Sequence, residues 1–237
     1  MSSYSVEPIG VIHSCYSEKF GVPRQPRLVT AAKGILHFYP DFGRPEMFNQ
    51  LDKFTHIWII FLFHETVAEG WKPTARPPRL GGQKRVGVYA SRSPHRPNHI
   101  GMSAVRLEKI VKDDGPVRLE LSGVDLLDGT PVLDIKPYVP YSDVVDEAGC
   151  GYTFDPIPKV ELRIAQQVED FCRQYQHETG RELRELIVQT LQYDPRPASQ
   201  RAAVREFGVL LWDVNVRWRA TGGGFEVFSC EQAGACG

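Results

Sequence analysis

Residues Ser91 to Gly101 read Ser-Arg-Ser-Pro-His-Arg-Pro-Asn-His-Ile-Gly. Arg92 and Arg96 sit among Pro94 and Pro97. Each proline removes an N–H and clashes with a preceding helical turn, and a strand interior would lose ladder bonds at both. The spacing therefore predicts a stiff, extended loop that displays guanidinium and imidazole groups. Such a loop loses little entropy when a ligand docks, which suits an anionic or polyanionic ligand. Pro23-Arg24-Gln25-Pro26-Arg27 repeats the pattern. Alone it is a surface turn; together the two loops point to a shared anionic or purine-bearing ligand. His95 and His99 stand four apart, but Pro97 forbids the helix that would pair them on a metal, and no third ligand lies near in sequence. No metal site is expected.

Other polar clusters carry two readings each. His64-Glu65 ends the most apolar run, where a strand meets either plain solvent or the mouth of a barrel. Asp125 and Asp128 flank Leu126-Leu127; such acids accept from ribose hydroxyls or face a cation, and Asp128-Gly129 is also a turn corner. Asp194-Pro195-Arg196-Pro197-Ala198 fixes an arginine in the geometry that reads carboxylate or phosphate, or it merely stops a helix. Asn215, Arg217 and Arg219 share one strand face beside Trp218, either a grip for RNA or an exposed hairpin face.

The elements that must position these groups are mostly strands. Apolar runs separated by turn signals recur at Val6–Ile12, Gly34–Phe38, His56–Phe63, Arg85–Tyr89, Met102–Ile110, Val117–Gly123 and Val132–Pro137. Near Val105 a period of two is broken by Lys109. One helix is expected near Pro45–Leu51. Many short strands with Gly/Pro turns predict a sandwich or closed barrel. After Pro158 the pattern changes to helical spacing over Val160–Gln176, ended by Gly180, and over Arg181–Leu191. Val209–Trp218 and Phe225–Cys230 then read as a hairpin. The expected organisation is mainly β, with a barrel over 1–158 and a small α+β module over 159–237 that leans on the barrel or on a second subunit.

Bulk properties bound the function. A chain of 237 residues with 42% hydrophobic content supports a sizeable core. The longest apolar run, Ile57–Phe63, suffices only for a buried strand. Met1–Ser5 lacks the features of a signal peptide, and the five cysteines are scattered without a C-x-x-C, so a cytoplasmic protein with neither disulfide scaffold nor zinc ribbon is expected. The net charge of −1 conceals a basic block: Trp71–Leu107 holds eight Lys/Arg and no acid, whereas Glu108–Glu161 holds twelve Asp/Glu against five Lys/Arg. The block binds nucleic acid locally, or it pairs with acids elsewhere in the fold. No G-x-G-x-x-G follows a strand, and P-loop, G-x-S-x-G and H-E-x-x-H motifs are absent, which disfavours a Rossmann site.

Ser91–Ser103 resembles the signature of the TsaA-like (YaeB) family. The resemblance extends to Ile9–Ile12, Lys19–Pro26, Arg76–Gly82, Asp128–Val132, Asp134–Tyr138, Asp194–Ala198 and Asn215–Arg219, nearly the whole chain. It implies a single-sheet β-barrel methyltransferase of non-Rossmann type, a homodimer, S-adenosyl-L-methionine as cofactor, and a tRNA anticodon stem-loop as partner. The implied acceptor is the exocyclic nitrogen of N6-threonylcarbamoyladenosine beside the anticodon. The implied cofactor pocket falls on Gln25, Pro26, His64, Arg92, Met102, Asp125, Leu126, Leu127 and Asp128. A urea-like nitrogen is a poor nucleophile until its proton leaves, so a base is useful. Asp128, His64 and Asp194 are the candidates, and the sequence does not choose among them. Arg196, then Arg219, are expected to meet the threonyl carboxylate, with Arg96 and Arg217 as further substrate contacts. His95 stands where an aromatic is frequent in the family, and His99 where proline is frequent.

Overall fold

The computed structural model describes residues 4–201 and 205–234. Three barrel strands come first: β1 (Gly10–Ser14), β2 (Lys33–Phe38) and β3 (His56–Leu62). A two-stranded arm follows, β4 (Thr74–Ala75) with β5 (Val86–Gly87). β6 (Ile100–Val111), β7 (Arg118–Ser122) and β8 (Thr130–Pro137) complete the barrel. The strands pair in the order β1-β2-β7-β6-β3-β8 and close back on β1, so the expected single-sheet barrel is what the chain forms. Closure leaves no free sheet edge.

Period-two alternation decides which residues fill the barrel. On β3, Ile57, Ile59 and Phe61 are buried inside, while Trp58, Ile60 and Leu62 face outward and stay partly covered. That second apolar face explains the unbroken run from Ile57 to Phe63: both sides of this strand are used. Gly101 pairs with Phe61 across β3 and β6. A Cβ at Gly101 would fall 2.4 Å from the Phe61 ring, so only glycine lets the ring lie there. The break in alternation at Lys109 is a β-bulge, since the β6–β7 register slips between Leu107 and Lys109.

The short α1 (Pro140–Asp143) stays with the barrel, Asp143 accepting from Trp58 Nε1 at 2.9 Å; the C-terminal part comprises β9 (Leu162–Ile164), α2 (Gln166–Thr179), α3 (Leu183–Leu191), β10 (Glu206–Leu211), β11 (Val214–Thr221) and β12 (Gly224–Gln232). Its sheet runs β10-β11-β12-β9, with β9 parallel to β12. Gly180 ends α2 at φ 72°, as its position predicts. Several boundaries differ from expectation. The first strand starts at Gly10 rather than Val6, Arg85–Tyr89 yields only the two residues of β5, and Pro45–Leu51 forms tight 3₁₀ turns. The helix expected from Val160 is preceded by β9, because Val160, Leu162 and Ile164 also alternate. Val209–Trp218 is two strands, folded back at Trp212-Asp213 with Trp212 at φ 52°.

The two sheets meet at one seam. Tyr16 bridges to Leu211, the Trp212 amide donates to the Cys15 carbonyl at 2.9 Å, and the Leu210 amide donates to Glu18 Oε1 at 3.0 Å. Ala31 N–H donates to Gln189 Oε1 of α3 at 3.0 Å. Among the described residues no helix is long and apolar enough to cross a membrane. Gly101→Ala should cost about 1–3 kcal/mol of stability by displacing the Phe61 ring. Urea unfolding of the variant checks this; an unchanged midpoint would show that the ring moves freely.

Candidate active site

A cavity of about 2480 Å³ opens beside the barrel. Small-molecule sites occupy about 300–1,000 Å³, so it has room for a nucleoside-sized ligand and part of a larger one. Trp58, Ile60 and Met102, the outward residues of β3 and β6, contribute apolar surface. The Pro23–Pro26 and Ser91–Arg96 loops, the basic arm, residues 149–158 and the turn after α3 complete the walls. Nine Lys/Arg line it against three Asp. Of the eight cations in the basic block only Arg106 has a carboxylate within 4.0 Å among the described residues, namely Glu108. The block is therefore not neutralised within the fold.

The signature loop is held by short local bonds. Ser91 Oγ donates to the Val88 carbonyl at 2.9 Å, the Ser93 amide donates to Ser91 Oγ at 3.3 Å, and Arg96 Nη1 donates to the Ser91 carbonyl at 3.2 Å. His95 Nε2 lies 2.8 Å from Glu69 Oε2, and this contact holds the Glu69 carboxyl below its usual range. His99 is buried, with Nδ1 3.0 Å from the Pro94 carbonyl. Its φ of 51° is one a proline cannot adopt. The two histidines thus replace ring rigidity with hydrogen bonds that tie the loop to itself and to the turn after β3.

Gln25, Pro26, Arg92, Met102 and Asp125 all line the cavity. Arg92 donates to Gln25 Oε1, joining the two proline-bracketed loops anticipated from sequence. Asp125 is only partly exposed, accepts from Ser103 Oγ at 2.6 Å, and has its pKa raised to about 6 by burial, opposed by the Ser103 hydrogen bond and the Arg92 charge. A purine, a cation and an amino-acid carboxylate would find complementary groups in this corner: Met102 and Ile60, Asp125, and Arg92.

The remaining expected residues lie differently. Leu126 is buried and its carbonyl accepts from Ser14 Oγ at 2.7 Å; the Leu127 carbonyl accepts from Thr130 Oγ1 at 2.7 Å. Asp128 Oδ1 accepts from the Ser14 amide at 2.9 Å and lies 3.1 Å from His13 Nδ1. These three residues stitch the barrel end together and are not among those lining the cavity. Nor is His64, whose Nε2 is 3.6 Å from Glu65 Oε1. Asp194 does line the cavity, but Arg196 grips both its oxygens, with Nε at 2.8 Å from Oδ1 and Nη2 at 3.0 Å from Oδ2. Arg196 itself is 7% exposed, under the rings of Phe207, Trp218 and Phe225, and does not reach the cavity. Its guanidinium is committed to holding the loop, contrary to a carboxylate-reading role. Arg217 and Arg219 share the expected strand face but pair with Glu206 at 2.6 Å and Glu226 at 2.8 Å, away from the cavity. Arg96 lines it as expected. Sequence reasoning missed Ser103, Arg24 and Arg201 as site residues. Arg24 carried the same proline-bracketed signal as Gln25, and Ser103 closes the signature stretch, whereas nothing in sequence marked Arg201. Among the described residues no cluster of three His, Cys, Asp or Glu could hold a metal ion.

Comparison with known proteins agrees with this architecture. The family model for the tRNA-methyltransferase O N-terminal domain matches residues 11–144, and that for the TrmO C-terminal domain matches 157–233. The tRNA (adenine(37)-N6)-methyltransferase of Escherichia coli K12 is 44% identical over 234 residues, covering 98% of this chain and 99% of its own. An Eikenella corrodens protein of the same name is 44% identical over 166 residues, covering 70% of this chain and 90% of its own. The crystal structure of TrmO from Pseudomonas aeruginosa superposes with a TM-score of 0.82 at 40% identity, covering 97% of this chain and 99% of that one. With both family models matched and a relative 44% identical over nearly its whole length, this chain belongs to the tRNA-methyltransferase O family of S-adenosylmethionine-dependent enzymes.

Proposed function

We propose that the protein methylates the exocyclic nitrogen of N6-threonylcarbamoyladenosine beside the anticodon of tRNA. The observation that carries this reading is the cavity itself: too large for a cofactor alone, and lined by nine Lys/Arg that the fold leaves largely without counter-ions. Those cations suit the phosphates of an anticodon stem, and each phosphate neutralised makes binding fall more steeply with salt. Gln25, Pro26, Arg92, Met102 and Asp125 form the corner that fits the cofactor. S-adenosylmethionine, when bound, supplies an electrophilic methyl group. The protein's part is to hold the acceptor nitrogen in line and to take its proton. Orientation of this kind is worth about 7–11 kcal/mol.

Asp125 is the favoured base. Asp194 has both oxygens engaged by Arg196, while Asp128 and His64 lie outside the lining. Asp125 faces the cavity, and a carboxyl with a pKa of about 6 is ionised yet basic at neutral pH. The reading also includes a cytoplasmic homodimer. Tyr89, Ile100 and Met102 are exposed around the cavity and suit cover by a second copy.

Incubating the protein with labelled S-adenosylmethionine and two tRNA pools, with and without threonylcarbamoyladenosine, tests the acceptor. Label should enter only the modified pool, and less of it as salt rises; equal labelling of both pools would discard the modified base as substrate. Asp125→Asn should lower kcat about 10²–10⁴-fold while cofactor affinity changes far less. A loss confined to cofactor binding would make Asp125 a ligand rather than a base. In the wild type, kcat/KM should fall as pH drops through about 6, where Asp125 takes up its proton.

The same substitution should raise stability without ligand. The folded pKa lies above the unfolded value of 3.8, so Asp125 costs stability progressively as pH rises from about 3.8 to about 6, and that cost is complete above 6. Asp125→Asn should gain about 1–3 kcal/mol at neutral pH and nothing near pH 3. Denaturation at the two pH values separates these outcomes.

A further inference from the structure

Arg24 and Arg201 stand opposite an imbalance of charge. Asp194 is the carboxylate nearest to three guanidiniums. Arg196 takes both of its oxygens, and Arg201 Nε reaches Oδ2 only at 3.5 Å. Arg24 donates to the Arg196 carbonyl at 3.3 Å and has no carboxylate within 4.0 Å among the described residues. Protein crowding and the charge of Arg201 lower the Arg24 pKa, against the pull of Asp194. Arg24 and Arg201 both line the cavity, and Arg196 does not. Three positive charges therefore share one negative charge, and the two that Asp194 holds weakly or not at all, Arg201 and Arg24, face the ligand space.

We propose that Arg24 and Arg201 form an anion subsite that receives the carboxylate of the threonyl side chain on the acceptor base. This rests on the acceptor assigned above. Two features favour a carboxylate from that source. Planar guanidinium forks match carboxylates in a bidentate manner, and Arg24 is tethered at both flanks by Pro23 and Pro26. The cofactor corner already has its own arginine, Arg92, paired to Gln25. The stem phosphates have the basic arm. Arg24 and Arg201 instead meet across the seam, one from the barrel's loop and one from the turn after α3, so the subsite exists only when the two sheets are docked. Asp194 and Arg196 are positioning residues in this arrangement: they fix the turn and set the surplus charge.

The test uses the full-length protein with two anticodon stem-loops. One carries threonylcarbamoyladenosine; in the other the threonyl carboxyl is a primary amide. Binding is read by fluorescence anisotropy with S-adenosylhomocysteine present, and turnover is read separately. Wild type should bind the carboxylate form about 10–100-fold more tightly than the amide. Arg24→Gln should erase that preference, Arg24→Lys should restore part of it, and Arg201→Gln should reduce it. Affinity for S-adenosylhomocysteine, measured by calorimetry, should stay within about twofold, which also shows that the variants are folded. Loss of cofactor affinity in Arg24→Gln would assign the anion to the cofactor and overturn the proposal. Equal loss for both stem-loops, with a shallower salt dependence, would assign it to a phosphate and overturn it as well. A preference that survives Arg24→Gln would remove the subsite altogether. Absence of turnover with either stem-loop, with the binding preference intact, would instead discard the methyl-acceptor assignment and leave the subsite standing.

Discussion

The site depends on the seam where Cys15–Glu18 leaves the barrel and pairs with β10. Backbone hydrogen bonds from Trp212 to Cys15 and the Tyr16–Leu211 bridge fix the distance between two sheets that otherwise share no strands. Tyr16, Leu211 and Leu186 are fully buried there, so the seam is apolar core as well as hydrogen-bonded ladder. Hydrogen bonds set direction and burial supplies most of the favourable energy. Without this docking, the turn after α3 would not face the Pro23–Pro26 loop, and the cavity would lose a wall.

Charge is distributed around that cavity in a consistent way. Two of the three carboxylates in the wall are engaged or buried, Asp194 by Arg196 and Asp125 by its surroundings and Ser103, and only Asp155 is open. Cations in the wall are mostly left open. A site with nine cations against three acids carries a positive field into a concave, partly apolar space, where it acts over longer range than on a flat surface. The same asymmetry costs stability in the free protein and is relieved by an anionic ligand. Rigid loops limit the cost of using it, because prolines and local side-chain bonds have already ordered the backbone.

Much of the architecture was legible in the sequence because strand alternation is a local signal. The barrel strands, the Lys109 break and the Gly180 stop all follow from neighbours a few residues apart. Legibility ended where one pattern served two structures. Val160, Leu162 and Ile164 satisfy both helical and strand spacing, and only the presence of β12 alongside makes them β9. The reversal at Trp212-Asp213 carries no glycine or proline, so it left no mark. At the site, residue type was informative and environment was not. Arg196 has the right chemistry to read an anion, but three aromatic rings and Asp194 enclose it, and those rings come from strands far along the chain. Asp125 and Asp128 look alike in sequence; the barrel turns one into the cavity and uses the other to hold Ser14 and His13.

That difference between two aspartates bears on how the chemistry is divided. A base for a urea-like nitrogen must be ionised at neutral pH yet keep enough affinity for a proton. Asp128 is spent on Ser14 and His13 outside the cavity, and Asp194 has both oxygens held by Arg196. Burial supplies the proton affinity, but burial also needs a neighbour that keeps the ionised form accessible. Ser103 and Arg92 provide that counterweight at Asp125, and Arg92 belongs to the loop that also forms the cofactor corner. Under the proposed assignment of base and cofactor corner, proton removal and cofactor placement are coupled through one arginine: a shift of the signature loop that misplaces the cofactor also withdraws the charge that helps Asp125 ionise. The stiffness of Ser91–Gly101, with its prolines and its two histidine tethers, is what keeps both conditions met together.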